Sequence, residues 1–196
     1  MSRGLINNTA LARYMITEKK VNGNLDAVSS AIRRYKLDKY DEIFDRVNKI
    51  VSFGELSTRS RLANIAVIKD AEVQELLPRL FSIIQFNRGD VLRIIQADEA
   101  IKILVNEKNL EKVKDLLPKN KIIKVDQNLA ELNIHLHLDA IKTPGIAAAI
   151  STELAMDSIN IMEFMSCVPE LLFFVKEKDI LKAYNVLYQL CSSAEQ

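Results

Sequence analysis

Residues 100–117, AIKILVNEKNLEKVKDLL, align without gaps on residues 170–187, ELLFFVKEKDILKAYNVL. In both, an apolar strand-like run passes through a charged turn into a segment whose apolar residues have helical spacing. Self-similarity at a fixed offset, here about 70 residues, is the mark of a duplication. The offset extends upstream: NIAVI (64–68) falls on IHLHL (134–138), and VLRII (91–95) falls on IMEFM (161–165). Each copy therefore carries the same order of elements.

In the second copy the patterns predict a strand at 131–138, a helix over 144–156, strands at 159–167 and 171–176, and a helix over 178–191. Pro169 lies in the turn between the last two strands. The first copy repeats this order and adds IIKVD (122–126) as a closing strand. Strand, helix, strand, strand, helix, strand is the ferredoxin-like order, in which helices cover one face of an antiparallel sheet. The second copy runs into CSSAEQ with no residues left for a closing strand. Its open edge is a template for pairing with a neighbour.

Upstream, residues 5–36 hold two short helical patterns separated by Asn22, Gly23 and Asn24, with Asn24 placed to cap the second. On that second helix Leu25, Val28, Ile32 and Tyr35 share one face, which leaves Ser29, Ser30, Arg33 and Arg34 on the other. A third helix over 39–53 aligns Tyr40, Ile43, Phe44, Val47, Ile50 and Val51 along one stripe. It is long enough to link modules or to pair with a twin.

Composition bounds the function classes. The chain has 196 residues, 48% of them hydrophobic, which exceeds one average domain and supplies two or three small cores. Its 27 basic and 26 acidic side chains nearly cancel, so no whole-molecule field draws it to a polyanion or an acidic membrane. The charges are unevenly placed: residues 1–40 carry about +5 and the rest about −4. The positive end is where nucleic acid would bind.

Cys167 and Cys191 are too few for a disulfide framework or a four-thiolate metal site, as expected in a reducing cytoplasm. No stretch reaches the roughly 18 apolar residues of a membrane span, and MSRGLINNTALARY lacks the apolar centre of a signal peptide. A cytoplasmic protein without a membrane partner is expected. The five glycines, at positions 4, 23, 54, 89 and 145, are too dispersed for a P-loop or a dinucleotide fingerprint, which need backbone amides packed close to phosphate.

Within this frame the stretch from Leu132 to Leu190 resembles an ACT domain, most closely the regulatory ACT region of aspartokinases. TPGIAAAISTEL (143–154), SINIMEFMS (158–166) and ELLFFVKEKDILKAYNVL (170–187) carry the resemblance. In that family an amino acid binds at a subunit or domain interface, held by the loop after the first strand and by the start of the second. The resemblance therefore points to Asp139, Thr143, Pro144, Gly145, Ile146, Asn160 and Ile161 as effector-binding residues.

Residue chemistry agrees with that assignment. A glycine after proline lets the backbone approach a ligand, and free amides at a helix N-terminus suit a carboxylate. Asn160 adds an amide. The alternative is that Pro144 and Gly145 only shape the turn into the helix. In the first copy Gln74 and Glu75 stand at the ungapped positions of Pro144 and Gly145, and Asp90 at that of Asn160. That copy is read as framework or dimer-forming. Ser158 replaces the glycine that the family commonly has before the second strand.

Residues 5–36 resemble a helix-turn-helix of prokaryotic regulators through TALARYMITEK (9–19) and LDAVSSAIRRY (25–35). The resemblance implies that Ser29, Ser30, Arg33 and Arg34 face a major groove, with Arg13, Lys19, Lys20 and Lys36 near phosphates. A small helical bundle with a solvated basic face is the competing reading, since helix pairs of this kind also make protein contacts.

His135 and His137 alternate along the predicted strand at a spacing that can chelate a metal, but no third ligand is evident, so a packed or interface role is preferred. The face of EKNLEKVKDLLPKNK (107–121) reads as a solvated helix surface. Neither cysteine has an adjacent group to activate it. No catalytic residue, metal or cofactor is expected.

The expected architecture is α+β, with two tandem ferredoxin-like (βαββαβ) ACT domains, 60–128 and 129–196, behind a helix-turn-helix-like module, 1–56. The expected function is that of an amino-acid-responsive transcriptional regulator, a homodimer or higher homo-oligomer that binds DNA through its N-terminal helices. The alternative is a ligand-sensing interaction protein that modulates a metabolic enzyme.

Overall fold

The computed structural model describes residues 7–34 and 38–192. They form two compact units that divide between Phe44 and Asp45.

In the first unit, helices α1 (Asn8–Thr17) and α2 (Leu25–Arg34) are each only ten residues long. Helices this short are marginal alone and depend on capping and packing. The Asn7 side chain accepts hydrogen bonds from the Thr9 and Ala10 amides at 3.0 and 3.1 Å, and Asn24 accepts from the Ala27 amide at 2.8 Å. Ala12, Val28 and Ile32 form the small core between the helices, supported by Leu11, Met15, Ile16 and Leu25. Of the apolar face expected for α2, Leu25, Val28 and Ile32 are thus in place, and Tyr35 lies outside the described residues; one correction applies, since Ser29 is buried with them and does not join Ser30 on the exposed side.

The next helix, α3 (Asp38–Val51), is followed by β1 (Glu55–Ile68), α4 (Ala71–Ile83), β2 (Leu92–Gln96), β3 (Ala100–Asn106) and α5 (Leu110–Leu116). Then come β4 (Ile122–His135), α6 (Ile146–Met156), β5 (Glu163–Cys167), β6 (Glu170–Lys176) and α7 (Ile180–Cys191). All strands are antiparallel neighbours in one six-stranded sheet of order β2-β3-β1-β4-β6-β5. The segments 60–128 and 129–196 therefore share one continuous sheet within a single compact unit.

Two strands of 14 residues make this possible, each more than twice a common strand length. The second part of β1, Leu62–Ile68, pairs with β3, while its first part, Glu55–Arg59, pairs with Glu131–His135 of β4. The first part of β4 pairs with the second part of β1, and Leu129–His135 pairs with β6. Each half of the unit thus lends a strand to the other. The open edge expected after α7 is closed within the same chain by residues that precede the first repeat. The changeover lies where Arg61 and Asn128 adopt left-handed backbone (φ 57° and 56°) and the β1–β4 register shifts, as bulges do when a strand changes partner and twist.

The pairing corrects the upstream part of the repeat. Ile68 pairs with Ala100 and His135 pairs with Glu170. Because Ala100 and Glu170 are equivalent, NIAVI corresponds to ELNIH (131–135) and not to IHLHL. From the end of its first strand to the start of its third the second copy is three residues longer, so an ungapped offset slides the alignment past the end of the strand. His137 consequently lies beyond β4 and cannot share a strand face with His135.

Helices cover one face of the sheet in two clusters. Val73 and Leu80 of α4 and Leu110 and Val113 of α5 bury Ala63, Ile65, Val67, Ile101, Ile103 and Val105. In the other half, α3, α6 and α7 bury Leu132, Ile134, Phe173 and Val175. Alternate residues of the same strands point to the opposite face. There Leu62, Val91, Leu104, Leu129, Leu172 and Phe174 form a third cluster that joins the halves.

On that face Arg93, Leu104 and Asn64 occupy one row across β2, β3 and β1, and Glu163, Phe174 and Glu131 occupy one row across β5, β6 and β4. The two rows meet head to tail. Arg93 Nη2 donates to Glu131 Oε1 at 3.4 Å, Asn64 Nδ2 donates to Glu163 Oε1 at 3.1 Å, and Leu104 and Phe174 are buried between them. Both edge strands therefore reach across the face to the opposite half. Burial pushes the Glu131 carboxyl above its ordinary value, against the pull of Arg93 and Arg59.

Among the described residues no helix is long and apolar enough to cross a membrane.

Candidate functional site

The two halves enter their first helices differently. After β1 only Lys69 and Asp70 precede α4. Asp70 is the N-cap: its Oδ1 accepts from the Val73 amide at 2.9 Å, and its Oδ2 pairs with Lys121. The Lys121 ammonium and the Val73 amide hold this carboxyl below its usual range. After β4, ten residues (136–145) precede α6. They include a 3-10 turn, Leu138–Lys142, and the buried Thr143, whose hydroxyl donates to the Asp139 carbonyl at 2.9 Å. The N-cap there is Gly145, with φ 97° and no side-chain hydrogen bond to the helix. This left-handed backbone requires glycine. It leaves the first amides of α6, at the positive end of the helix dipole, without a side-chain acceptor.

Structural equivalence replaces the expected one here. Asp70, not Gln74 or Glu75, stands where Gly145 stands; Gln74 and Glu75 lie inside α4.

Beside Gly145 lies a cavity of about 330 Å³, at the lower end of the size range of small-molecule sites. Its apolar wall comes from Leu136, Ala140, Ile141, Ile146, Phe164 and Val168, and its polar groups from His137, Thr143, Ser166 and Glu170. The strands explain why these meet. His135 ends β4, Cys167 ends β5 and Glu170 begins β6, and the three are paired across one end of the sheet. The loop entering α6 follows from that same end. Glu170 is held by the Asn133 amide, which donates to Oε1 at 3.0 Å.

Of the effector-binding residues expected from the sequence, Thr143, Gly145 and Ile146 line this cavity, and Pro144 lies in the loop between them. Asp139 lines a neighbouring groove, with its carboxylate 3.2 Å from His137 Nδ1. Asn160 and Ile161 are elsewhere. They enter β5 at the end where the Met162 amide bonds the Phe174 carbonyl at 2.7 Å, four residues along β6 from Glu170, or about 13 Å. Asn160 is exposed with its amide 3.3 Å from the Met162 sulfur, and Ile161 packs on the core. One chain therefore splits the expected set between two ends of a sheet. His137 is singled out by sequence only together with His135, as a weak metal pair or a packed or interface residue, and not as part of this set. Phe164, Ser166, Val168 and Glu170 carry no signal beyond lying in or beside the β5–β6 hairpin, and the pattern does not say which end of it faces α6.

Asp90, at the position of Asn160, is a buried structural residue. It accepts from the Asn109 side chain at 2.8 Å and lies 2.6 Å from the Lys108 ammonium; these two groups hold its carboxyl below the usual range. Ser158 takes φ 59°, the left-handed conformation that Gly89 supplies in the first half at φ 79°.

In the N-terminal unit Arg13, Lys19, Lys20, Ser30 and Arg34 are exposed, with the Lys19 ammonium 5.9 Å from the centre of the Tyr14 ring and Arg34 donating to the Ser30 carbonyl at 3.3 Å. Lys36 and the side chain of Arg33 lie outside the described residues. Among the described residues no three His, Cys, Asp or Glu side chains converge as a metal site. Cys167 is exposed, whereas Cys191 is buried and its thiol is pushed up by burial.

No protein-family model matches this sequence, and no curated protein matches it. Solved structures do match. The aspartate kinase of Clostridium acetobutylicum, described as an allosteric enzyme, superposes with a TM-score of 0.54 at 18% identity over 69% of this chain and 34% of that one. This chain thus spans about a third of that enzyme. The ligand-free regulatory subunit of aspartate kinase from Thermus thermophilus gives 0.54 at 15% identity over 69% of this chain and 97% of the other. A Vibrio cholerae protein of unknown function, described as a possible transport protein, gives 0.53 at 11% identity over 76% and 98%. At such identities the likeness is one of fold: ACT-like, as in the regulatory part of aspartokinases.

Proposed function

We propose that this chain is a non-catalytic, amino-acid-sensing regulatory protein whose two ACT-type ferredoxin-like halves form one body, and whose output is a contact with a metabolic enzyme. The observation that carries this reading is the cavity beside Gly145, in a fold shared with aspartokinase regulatory subunits. The ligand's carboxylate sits at the amides opening α6, and its ammonium is taken by Glu170. Asn160 and Ile161, at the far end of the sheet, join such a site only when a second copy presents them, which makes a homodimer the working form.

A second reading keeps the same sensor and gives the N-terminal helices to DNA. It is favoured by the exposed Arg13, Lys19, Lys20 and Arg34 around the Asn24-capped α2, and it proceeds without Ser29. A gel shift with genomic fragments separates the readings: retardation that Arg33→Ala with Arg34→Ala abolishes selects DNA, and its absence selects a protein partner.

Sensing is tested by thermal shift against the common amino acids. A ligand at about 100 times its Kd adds roughly 2.7 kcal/mol to stability. A melting temperature that none of them raises removes the sensing function.

A further inference from the structure

On the other side of the Leu138–Lys142 turn lies a second concavity, of about 460 Å³, lined by Arg46, Lys49, Ile50 and Phe53 from α3 and its end and by Asp139 and Lys142 from the turn. The turn separates two chemistries. Ala140 and Ile141 face the apolar cavity beside Gly145, while Asp139 and Lys142 face this groove.

Three cations line this groove in a part of the chain whose overall charge is negative. Arg46 and Lys49 are three residues apart on α3, so they share a helix face. Among the described residues none of Arg46, Lys49 and Lys142 has a carboxylate within ion-pair distance. The one acid in the lining, Asp139, has its carboxylate 3.2 Å from His137 Nδ1, which itself accepts from the Asp139 amide, so three cations face a single carboxylate. The excess of like charge repels, and a bound polyanion relieves that repulsion. Beside them Phe53 presents an aromatic ring at 68% exposure, a surface on which a flat ring can stack.

We propose that this groove binds a phosphorylated nucleoside, with the phosphates between Arg46, Lys49 and Lys142 and the base on Phe53. Arg46 offers the planar fork that grips phosphate oxygens in pairs, and the two lysines add point charge. The site is separate from the proposed amino-acid cavity, although His137 and Thr143 border both.

The test is calorimetric titration of the full chain with GDP, pyrophosphate and guanosine at low and at moderate salt. GDP is expected to bind at least tenfold more tightly than pyrophosphate, with affinity falling as salt rises, and guanosine is expected not to bind. Arg46→Gln with Lys49→Gln should weaken GDP at least tenfold, and Phe53→Ala should bring GDP to the level of pyrophosphate. These side chains are exposed, so circular dichroism is expected to show unchanged folding. Absence of GDP binding, GDP binding indifferent to the Arg46 and Lys49 changes, or GDP no tighter than pyrophosphate overturns the proposal. Amino-acid thermal shifts are read separately and do not bear on this result.

Discussion

The two halves of the sheet unit solve the same problem, how to end a strand and start a helix, in opposite ways. In the first half two residues suffice, and Asp70 supplies a carboxylate to the helix amides and to Lys121. In the second, ten residues ending in Gly145 leave those amides uncapped by any side chain and open a cavity beside them. The contrast recurs before the second strand. Asp90 is locked by Lys108 and Asn109, whereas Asn160 in the equivalent place is exposed. At these two places the first half closes on its own side chains, and the second leaves helix amides and an amide side chain open, which is the difference the proposed amino-acid site uses.

The largest expected effect breaks the union of the halves. Phe174→Ala removes a fully buried ring from the cluster between the two rows, and we expect a loss of about 3–5 kcal/mol. Urea unfolding should show both halves destabilised together in one transition. Two separated transitions would mean that the halves fold independently and that the shared strands matter little.

Next come the two helix entries. Gly145→Ala forces a side chain into left-handed backbone at a cost of about 1–2 kcal/mol, and it should also suppress the thermal shift produced by an amino acid. Asp70→Ala removes a cap worth roughly 1 kcal/mol and should leave that shift intact. The contrast fails if the Asp70 variant loses ligand response or the Gly145 variant retains it.

The smallest effect is a slope with pH. Glu131 has a raised carboxyl pKa, so the native state holds its proton more tightly than the unfolded chain. Stability from this group is therefore highest at and below its ordinary value of 4.5 and falls as pH rises through the raised one. Asp70 and Asp90, with lowered pKa values, act with the opposite sign: their contribution is present above their ordinary 3.8 and is lost as pH falls below it. Denaturant midpoints across this range should show both limbs, and Glu131→Gln should flatten the upper one alone. An upper limb that survives in Glu131→Gln would assign the slope to another group.

Much of this architecture is legible in single residues. Asn24 announces its capping role because a polar residue before a helical pattern has few other uses. The strand and helix of 170–191 follow from pattern, since apolar periodicity reports the face each element buries. Ser29 misleads because a small hydroxyl on a short helix sits inside or outside with little change in the pattern. The longer connection after β4 misplaces IHLHL, because Leu136 and Leu138 continue an alternation that the backbone abandons at His135.

By itself the sequence determined the duplication, the order of elements, the α+β class and the glycine turn into α6, all of which depend on contacts between near neighbours. Only the tertiary structure decided that the halves exchange strands through β1 and β4, that Arg93 and Glu163 reach across to opposite partners, and that Asn160 stands a strand's length from Gly145. The physical reason is that strand pairing joins residues as far apart as Glu55 and His135. Such pairing depends on register and twist, which no local pattern of residues encodes.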